Sequence, residues 1–141
     1  MIALILAAGR GSRLRELTSD KPKCLVSLAG RPLHWQYDAL RAAGAQRLLI
    51  VRGYLAERLV PEAAGLPADA FETTVNPQWE HSNMLSSLLC AAPWLEAAFA
   101  AGEQEAVISY ADIVYPAAHV RALCEQGGAT PVSITFDTQW E

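Results

Sequence analysis

The sequence predicts an α/β fold: a mainly parallel sheet with helices on both faces. Short aliphatic runs without polar alternation recur along the chain, the habit of strands buried on both sides. Stretches with apolar residues at helical spacing lie between them, and strands alternating with helices imply βαβ units. Gly or Pro punctuates most of the junctions.

Residues 2–6 form the first run, which stops at Ala7-Ala8-Gly9. Residues 33–43 carry Leu33, Tyr37, Leu40 and Ala43 at helical spacing, and Gly44 stands where a helix commonly ends. The second strand is 47–51 (RLLIV), ended by Gly53. Residues 54–60 predict a short helix halted near Pro61, and 71–75 a strand closed by Asn76-Pro77. Ser82 is placed to cap a helix over 83–92, with Met84, Leu85, Leu88 and Leu89 facing inward and Pro93 stopping or kinking it. Residues 106–110 are a strand leading into Asp112. Pro116 suits the first position of a helix that ends at Gly127-Gly128, and 132–136 read as the last strand. The sequence stops at Trp140-Glu141 with no helix to cover that strand, which reads as a domain lacking its C-terminal part. No repeat, low-complexity tract or linker divides the chain, so residues 1–141 are taken as a single domain.

Composition narrows the function classes. The 141 residues are 52% hydrophobic and 18% charged, enough apolar material for one core. A formal net charge of −4 gives no electrostatic footprint for nucleic acid or an anionic membrane, so a phosphate-bearing ligand must meet a local positive cluster. Cys24, Cys90 and Cys124 are scattered without metal-ligand spacing and read as buried free thiols in a reducing compartment. The apolar start lacks a basic region and runs straight into Gly9-Arg10, and no run approaches the length of a membrane span. The expectation is a cytoplasmic protein; its oligomeric state, a homo-oligomer included, is left open.

In such sheets ligands bind beyond the carboxyl ends of the strands, which directs attention to the segments after residues 2–6 and 106–110. Gly9-Arg10-Gly11-Ser12-Arg13 follows the first strand directly. Glycines one residue apart let the backbone turn tightly and present N–H groups to phosphate oxygens, although a plain tight turn uses the same residues. Arg13 adds a planar, permanently charged fork. Leu14 occupies the third glycine position of a dinucleotide fingerprint, and the Gly-Lys-Ser/Thr of a P-loop is missing, so neither motif is present. About ten residues on, Asp20-Lys21-Pro22-Lys23 offers Pro22 to fix the direction of Lys23, a compact phosphate-neutralising cation, while Lys21 reads as solvated. Asp112, at the end of the 106–110 strand, is either a turn-forming residue or a ligand for a hard cation.

LAAGRGSRL followed by LTSDKPKCLVSLAGRPL resembles the signature of the NTP-transferase superfamily, which includes sugar-1-phosphate nucleotidyltransferases and bacterial phosphocholine cytidylyltransferases. The likeness continues through Val51-Arg52-Gly53-Tyr54 and Asp112. It implies a Rossmann-like three-layer domain whose glycine-loop stretch, Leu6, Ala7, Ala8, Gly9 and Gly11, holds an NTP. It also implies that Arg13 and Lys23 bind the phosphates and that Asp112 binds Mg²⁺. The implied reaction joins an NTP to a phosphorylated small molecule and releases pyrophosphate, without a protein nucleophile. Relatives commonly supply a second metal-binding Asp from a later strand; Asp137, the only late aspartate, comes too early to be assigned that role.

Residues 76–89 (NPQWEHSNMLSSLL) replace the Gly-rich segment of the sugar enzymes and resemble the phosphocholine cytidylyltransferase-like members, with Asn83 either contacting the nucleotide or capping a helix. Tyr110, Tyr115 and Trp140 are candidate walls of a box for a quaternary ammonium, with Asp137 adding charge, and core packing is the competing role of each aromatic. CTP with phosphocholine or an aminoalkyl phosphonate is therefore favoured over a sugar 1-phosphate. The alternative, from a different class, is a noncatalytic nucleotide-binding or regulatory domain.

Overall fold

The computed structural model describes residues 1–27, 30–127 and 131–135. Among these residues four strands form a parallel sheet: β1 (Ile2–Ala7), β2 (Arg47–Arg52), β3 (Glu72–Val75) and β4 (Ala106–Tyr110), in the order β3-β2-β1-β4. The register places Leu4 beside Leu49 on one side and Ile108 on the other. β1 is thus sandwiched edge-to-edge between β2 and β4, and Ile2, Ala3, Leu4 and Ile5 are wholly buried. That is why its sequence shows no alternation: both faces are covered.

The two faces are lined by alternate residues, as the two-residue repeat of a strand dictates. Ala3, Ile5 and Ala7 of β1, with Leu48 and Ile50 of β2, pack against Leu33 and Leu40 of α1 (Pro32–Ala42) and Val120 of α5 (Ala117–Gly127). Leu4, Leu49 and Val51 face the other way, onto Ala91 and the half-buried Leu88, Trp94 and Leu95 of α3 (Met84–Leu89) and α4 (Ala92–Ala100). The predicted three-layer α/β/α arrangement is therefore present in this part of the fold.

α1 opens with Pro32 at its first position, and Gly44, at φ +103°, follows its end. Two other prolines act differently from expectation. Pro61 begins the short helix α2 (Pro61–Ala64) rather than halting one, after a single 3-10 turn at Ala56–Arg58. Pro93 sits in the first turn of α4, a helix not expected from the sequence, while the helix expected over 83–92 is α3 and ends at Leu89. A first-turn proline has no backbone N–H to lose, and the same residue can end one helix or begin another.

The inward face expected for α3 is corrected as well. Met84, Leu85 and Leu89 are 57, 61 and 62% exposed, and Ser87 is the buried residue of that helix. The opposite sheet face is filled instead by Ala91 and α4. Residues 132–135 do not form the expected strand, and Phe136 lies outside the described residues. Of the three thiols only Cys24 is fully buried; Cys90 and Cys124 are half-buried, and all three are free. Among the described residues no helix is long and apolar enough to cross a membrane.

Candidate active site

The carboxyl ends of β1 and β4 open into a cleft of about 300 Å³. Its floor is Leu6 to Gly9 with Gly11, and one wall carries Lys23, Tyr110 and Asp112. The opposite wall carries Trp79, Ser82, Asn83 and Ser87. Neighbouring parallel strands place their following loops side by side, which brings residues more than a hundred positions apart to one cavity.

The loop after β1 turns at Gly11, which has φ +68°, ψ +41°. Only glycine adopts that left-handed conformation without a steric penalty. Space imposes the same choice. A Cβ on Gly11 would lie 3.0 to 3.2 Å from the aliphatic carbons of Lys23, so the lysine stem is packed directly on the glycine. Gly9 is different: its φ is not positive, a Cβ there would meet nothing within 4 Å, and its contribution is an unobstructed backbone in the cleft. The Leu14 amide donates to the Gly11 carbonyl at 2.9 Å, and the buried Thr18 hydroxyl donates to the Arg15 carbonyl at 3.2 Å, ordering the turn that follows.

A second layer supports the loop from β2. Gly53 is buried so tightly that a Cβ would sit 2.5 Å from the Ala8 carbonyl oxygen and 2.5 Å from Trp79 Cβ. The Tyr54 amide donates to that same Ala8 carbonyl at 2.9 Å, and its hydroxyl donates to the Ser19 carbonyl at 3.2 Å. Its ring meets Trp79 edge-on at 5.4 Å and receives the Arg10 guanidinium over its face at 5.4 Å. This brace of Gly53, Tyr54 and Trp79 was not read from the sequence; the signal available was the glycine immediately after β2.

At the cleft, Lys23 Nζ donates to Asp112 Oδ2 at 2.6 Å. Both side chains are about two-fifths exposed, so the pair is hydrated and exchangeable rather than locked. Pro22 is buried and precedes a 3-10 turn that starts at Lys23, which gives the lysine a fixed origin. Cys24, beside it, has its thiol pushed up to about 12 by burial and stays protonated. Lys21 pairs only loosely with its neighbour Asp20, at 3.7 Å.

The Trp79 wall is held by Asn76, which is 2% exposed. Its Nδ2 donates to the hydroxyls of Ser82 and Ser87 at 2.8 and 3.0 Å, while its Oδ1 accepts from the Gln78 amide at 2.9 Å. Asn83 caps α3, its Oδ1 accepting from the Ser86 amide at 3.0 Å, and it lines the cleft at the same time. The capping role is thus realised in a residue that also borders the cleft.

The other candidates divide. Arg13 lies on the exposed turn beyond Gly11 and is not part of the cleft lining. Tyr110 lines the cleft and is 45% exposed. Tyr115 does not: it packs against the core of the α1/α5 face, and burial raises its hydroxyl's pKa, with Ser109 nearby opposing the shift. Asp137 and Trp140 lie outside the described residues.

Among the described residues no group of three or more His, Cys, Asp or Glu is gathered to hold a metal. Asp112 offers one carboxylate, partly exposed and turned to the cleft. That donor set does not suit a dedicated protein cage. It suits a hard cation that takes one or two carboxylates and completes its shell with water and phosphate oxygens, as Mg²⁺ does.

Comparison with known proteins gives this architecture a family. A profile described as the MobA-like NTP transferase domain matches residues 3–140. A CTP:phosphoglutamine cytidylyltransferase of Campylobacter jejuni is 33% identical over 141 residues, covering 99% of this chain and 54% of that protein. A CMP-5'-(3-aminopropyl)phosphonate synthase of Streptomyces rubellomurinus is 33% identical over 133 residues, covering 93% of this chain and 20% of that one. Among solved structures, the CTP:phosphocholine cytidylyltransferase of Streptococcus pneumoniae superposes with a TM-score of 0.56 at 32% identity, over 67% of this chain and 40% of the other. A nucleotidyl transferase from Methanothermobacter gives 0.62 at 25% identity, over 87% and 56%. The chain thus spans about half the length, or less, of the relatives it matches. With the profile running through almost every residue and the cleft built on the glycine loop that the sequence singles out, this chain belongs to the MobA-like NTP transferase family.

Proposed function

We propose that this chain is the nucleotide-binding part of an Mg²⁺-dependent nucleotidyltransferase that moves a nucleotidyl group from an NTP, CTP by preference, to a phosphorylated small molecule. The observation that carries the reading is the convergence of Gly9, Gly11, Lys23 and Asp112 on one cleft at the carboxyl ends of β1 and β4. CTP is favoured because relatives aligned over nearly the whole chain bear cytidylyl-transfer names. Their named acceptors carry a phosphate or phosphonate on a nitrogen-bearing small molecule, and a phosphocholine-like or aminoalkyl phosphonate acceptor is favoured here over a sugar 1-phosphate.

In this reading the backbone N–H groups of the Gly9–Gly11 loop receive the phosphates, a job for which an uncluttered, tightly turned backbone is suited. Lys23 exchanges its Asp112 partner for a phosphate oxygen and neutralises charge there. Arg13, one turn on, contributes from the rim. Asp112 holds the Mg²⁺, which supplies positive charge to the triphosphate when bound. A phosphate oxygen of the acceptor attacks the α-phosphorus in line; the bond to the bridging oxygen breaks, and pyrophosphate leaves with that electron pair. Positioning and charge neutralisation are what such a step requires, and no protein nucleophile is assigned. Asn83 and Trp79 border the nucleotide, and Tyr110 offers an aromatic face to the acceptor.

The test is pyrophosphate release with Mg²⁺, offering CTP, UTP, dTTP and GTP against phosphocholine, 2-aminoethylphosphonate and common sugar 1-phosphates. Release is expected with CTP and an aminoalkyl acceptor and is lost in Asp112→Ala. Release confined to UTP or dTTP with a sugar 1-phosphate would overturn the substrate assignment. Silence across the panel would overturn the catalytic one.

A further inference from the structure

Gln36 is out of character with its surroundings. α1 buries Leu33, Gln36, Ala39 and Leu40, an apolar stripe in which one member is a primary amide with 0% exposure. Its Nε2 donates to the Tyr110 carbonyl at 2.6 Å and also to the Ile113 carbonyl. Both amide hydrogens are thus committed to the two ends of the turn that contains Ala111 and Asp112. The orientation of the amide follows from chemistry, since turning it over would set the Oε1 acceptor against two carbonyl acceptors. Oε1 has no hydrogen-bond partner among the described residues. A side chain kept only to fill space would do better as Leu or Met, because a buried, unpaired acceptor is destabilising. What glutamine alone supplies here is a pair of donors reaching two carbonyls from the neighbouring layer.

We propose that Gln36 is the positioning residue of Asp112: it clamps the 110–113 turn so that the carboxylate faces the cleft and Lys23. On the other side the turn is fixed by the Ala111 amide, which donates to the Leu6 carbonyl at 3.2 Å. The turn is therefore held from the glycine-loop strand and from α1 together, and the carboxylate stands between the two holds. The proposal rests on the reading that Asp112 holds a divalent cation beside an NTP. Partners that orient a metal ligand typically govern metal affinity or activity by about 10–100-fold.

The experiment measures Mn²⁺ affinity in the presence of CTP, by water-proton relaxation, for the unaltered chain, Asp112→Ala and Gln36→Met. Metal-free CTP affinity is measured in parallel by calorimetry. Methionine matches the length and volume of glutamine and has no donor. Gln36→Met is expected to weaken Mn²⁺ binding about 10–100-fold, toward the Asp112→Ala level, with metal-free CTP affinity changed less than about twofold. General damage to the fold would lower both affinities together, and that result would overturn the proposal. So would Gln36→Met with undiminished Mn²⁺ affinity while Asp112→Ala has lost it; the cation reading would survive that outcome. Equal Mn²⁺ binding by the unaltered chain and Asp112→Ala would remove the cation reading and this inference with it. If Gln36→Met does not fold, Gln36→Asn, whose donors fall one methylene short, carries the same expectations.

Discussion

Replacing Gly11 by alanine tests the link between the glycine loop and Lys23. Two penalties are expected. The first is conformational: a Cβ in the left-handed region costs about 1–2 kcal/mol, partly offset by about 0.4–1 kcal/mol from the stiffer unfolded chain. The second is contact. The new methyl carbon would stand 3.0 to 3.2 Å from three carbons of the Lys23 stem, and a stem displaced to make room strains the 2.6 Å pairing of Nζ with Asp112. For side chains about two-fifths exposed, that pairing is worth about 0.2–1 kcal/mol. The net loss is about 1–2 kcal/mol, a fall in melting temperature of roughly 2–8 °C for a domain of this size. A double-mutant cycle with Lys23→Ala separates the parts, because removing the stem abolishes the contact and leaves the backbone penalty. The cycle is read by thermal and urea unfolding, with a coupling of about 0.5–1 kcal/mol expected. Additivity within about 0.3 kcal/mol would show that Lys23 does not rest on Gly11 in solution, and the reasoning that ties the loop to the lysine would fail.

Further expectations concern the brace and the thiols. Gly53→Ala meets the Ala8 carbonyl and Trp79 Cβ, both at 2.5 Å; a loss of about 1–3 kcal/mol by urea unfolding is expected, and an unchanged midpoint would mean that β2 and the glycine loop are not in contact as described. Cys24, buried and with its thiol held near 12, should resist a thiol reagent at pH 8 until the chain unfolds, while Cys90 and Cys124 react first. Mass mapping of the labelled sites decides this. The same shift has a sign in alkali. The folded state holds the Cys24 proton more tightly than the unfolded chain, so its contribution is complete below the ordinary value of 9.0. It is lost as pH climbs from there through about 12. Cys24→Ala should flatten that part of the stability profile.

The sheet was legible because its signal is local. β1 and the middle of β2 are unbroken aliphatic runs, β4 is a short mainly apolar one, and their boundaries agree with the sequence to within a residue or two. The glycine loop, Lys23 and Asp112 were legible from residue type and order, and parallel pairing brings them together. What stayed hidden depends on distant partners. Gln36 reads as one more polar residue of a helix until its carbonyls, 74 and 77 positions away, are known. Trp79 and Asn76 likewise acquire meaning only from Gly53 and Ser87. Pro61 and Pro93 were ambiguous for a stereochemical reason, since a proline is as acceptable in a first helical turn as after a last one. The α3 face is ambiguous in sequence because four apolar residues in six positions fit helical periodicity in more than one way, and in the structure the following helix takes the core.

The central place of β1 has a consequence for the newly made chain. It precedes the other three described strands along the chain, yet one of its two neighbours, β4, begins only at Ala106. At about 5–20 residues per second, one whole edge of the most apolar strand stays unpaired for roughly 5–20 seconds. Its partner on the other side, β2, comes some forty residues after it, with α1 between. Docking of the β1–α1–β2 unit is thus the earliest step that can shield the strand during synthesis. Contacts this distant in sequence also make for slow closure of the sheet, the interval in which a holding chaperone or a nonspecific neighbour competes for that edge.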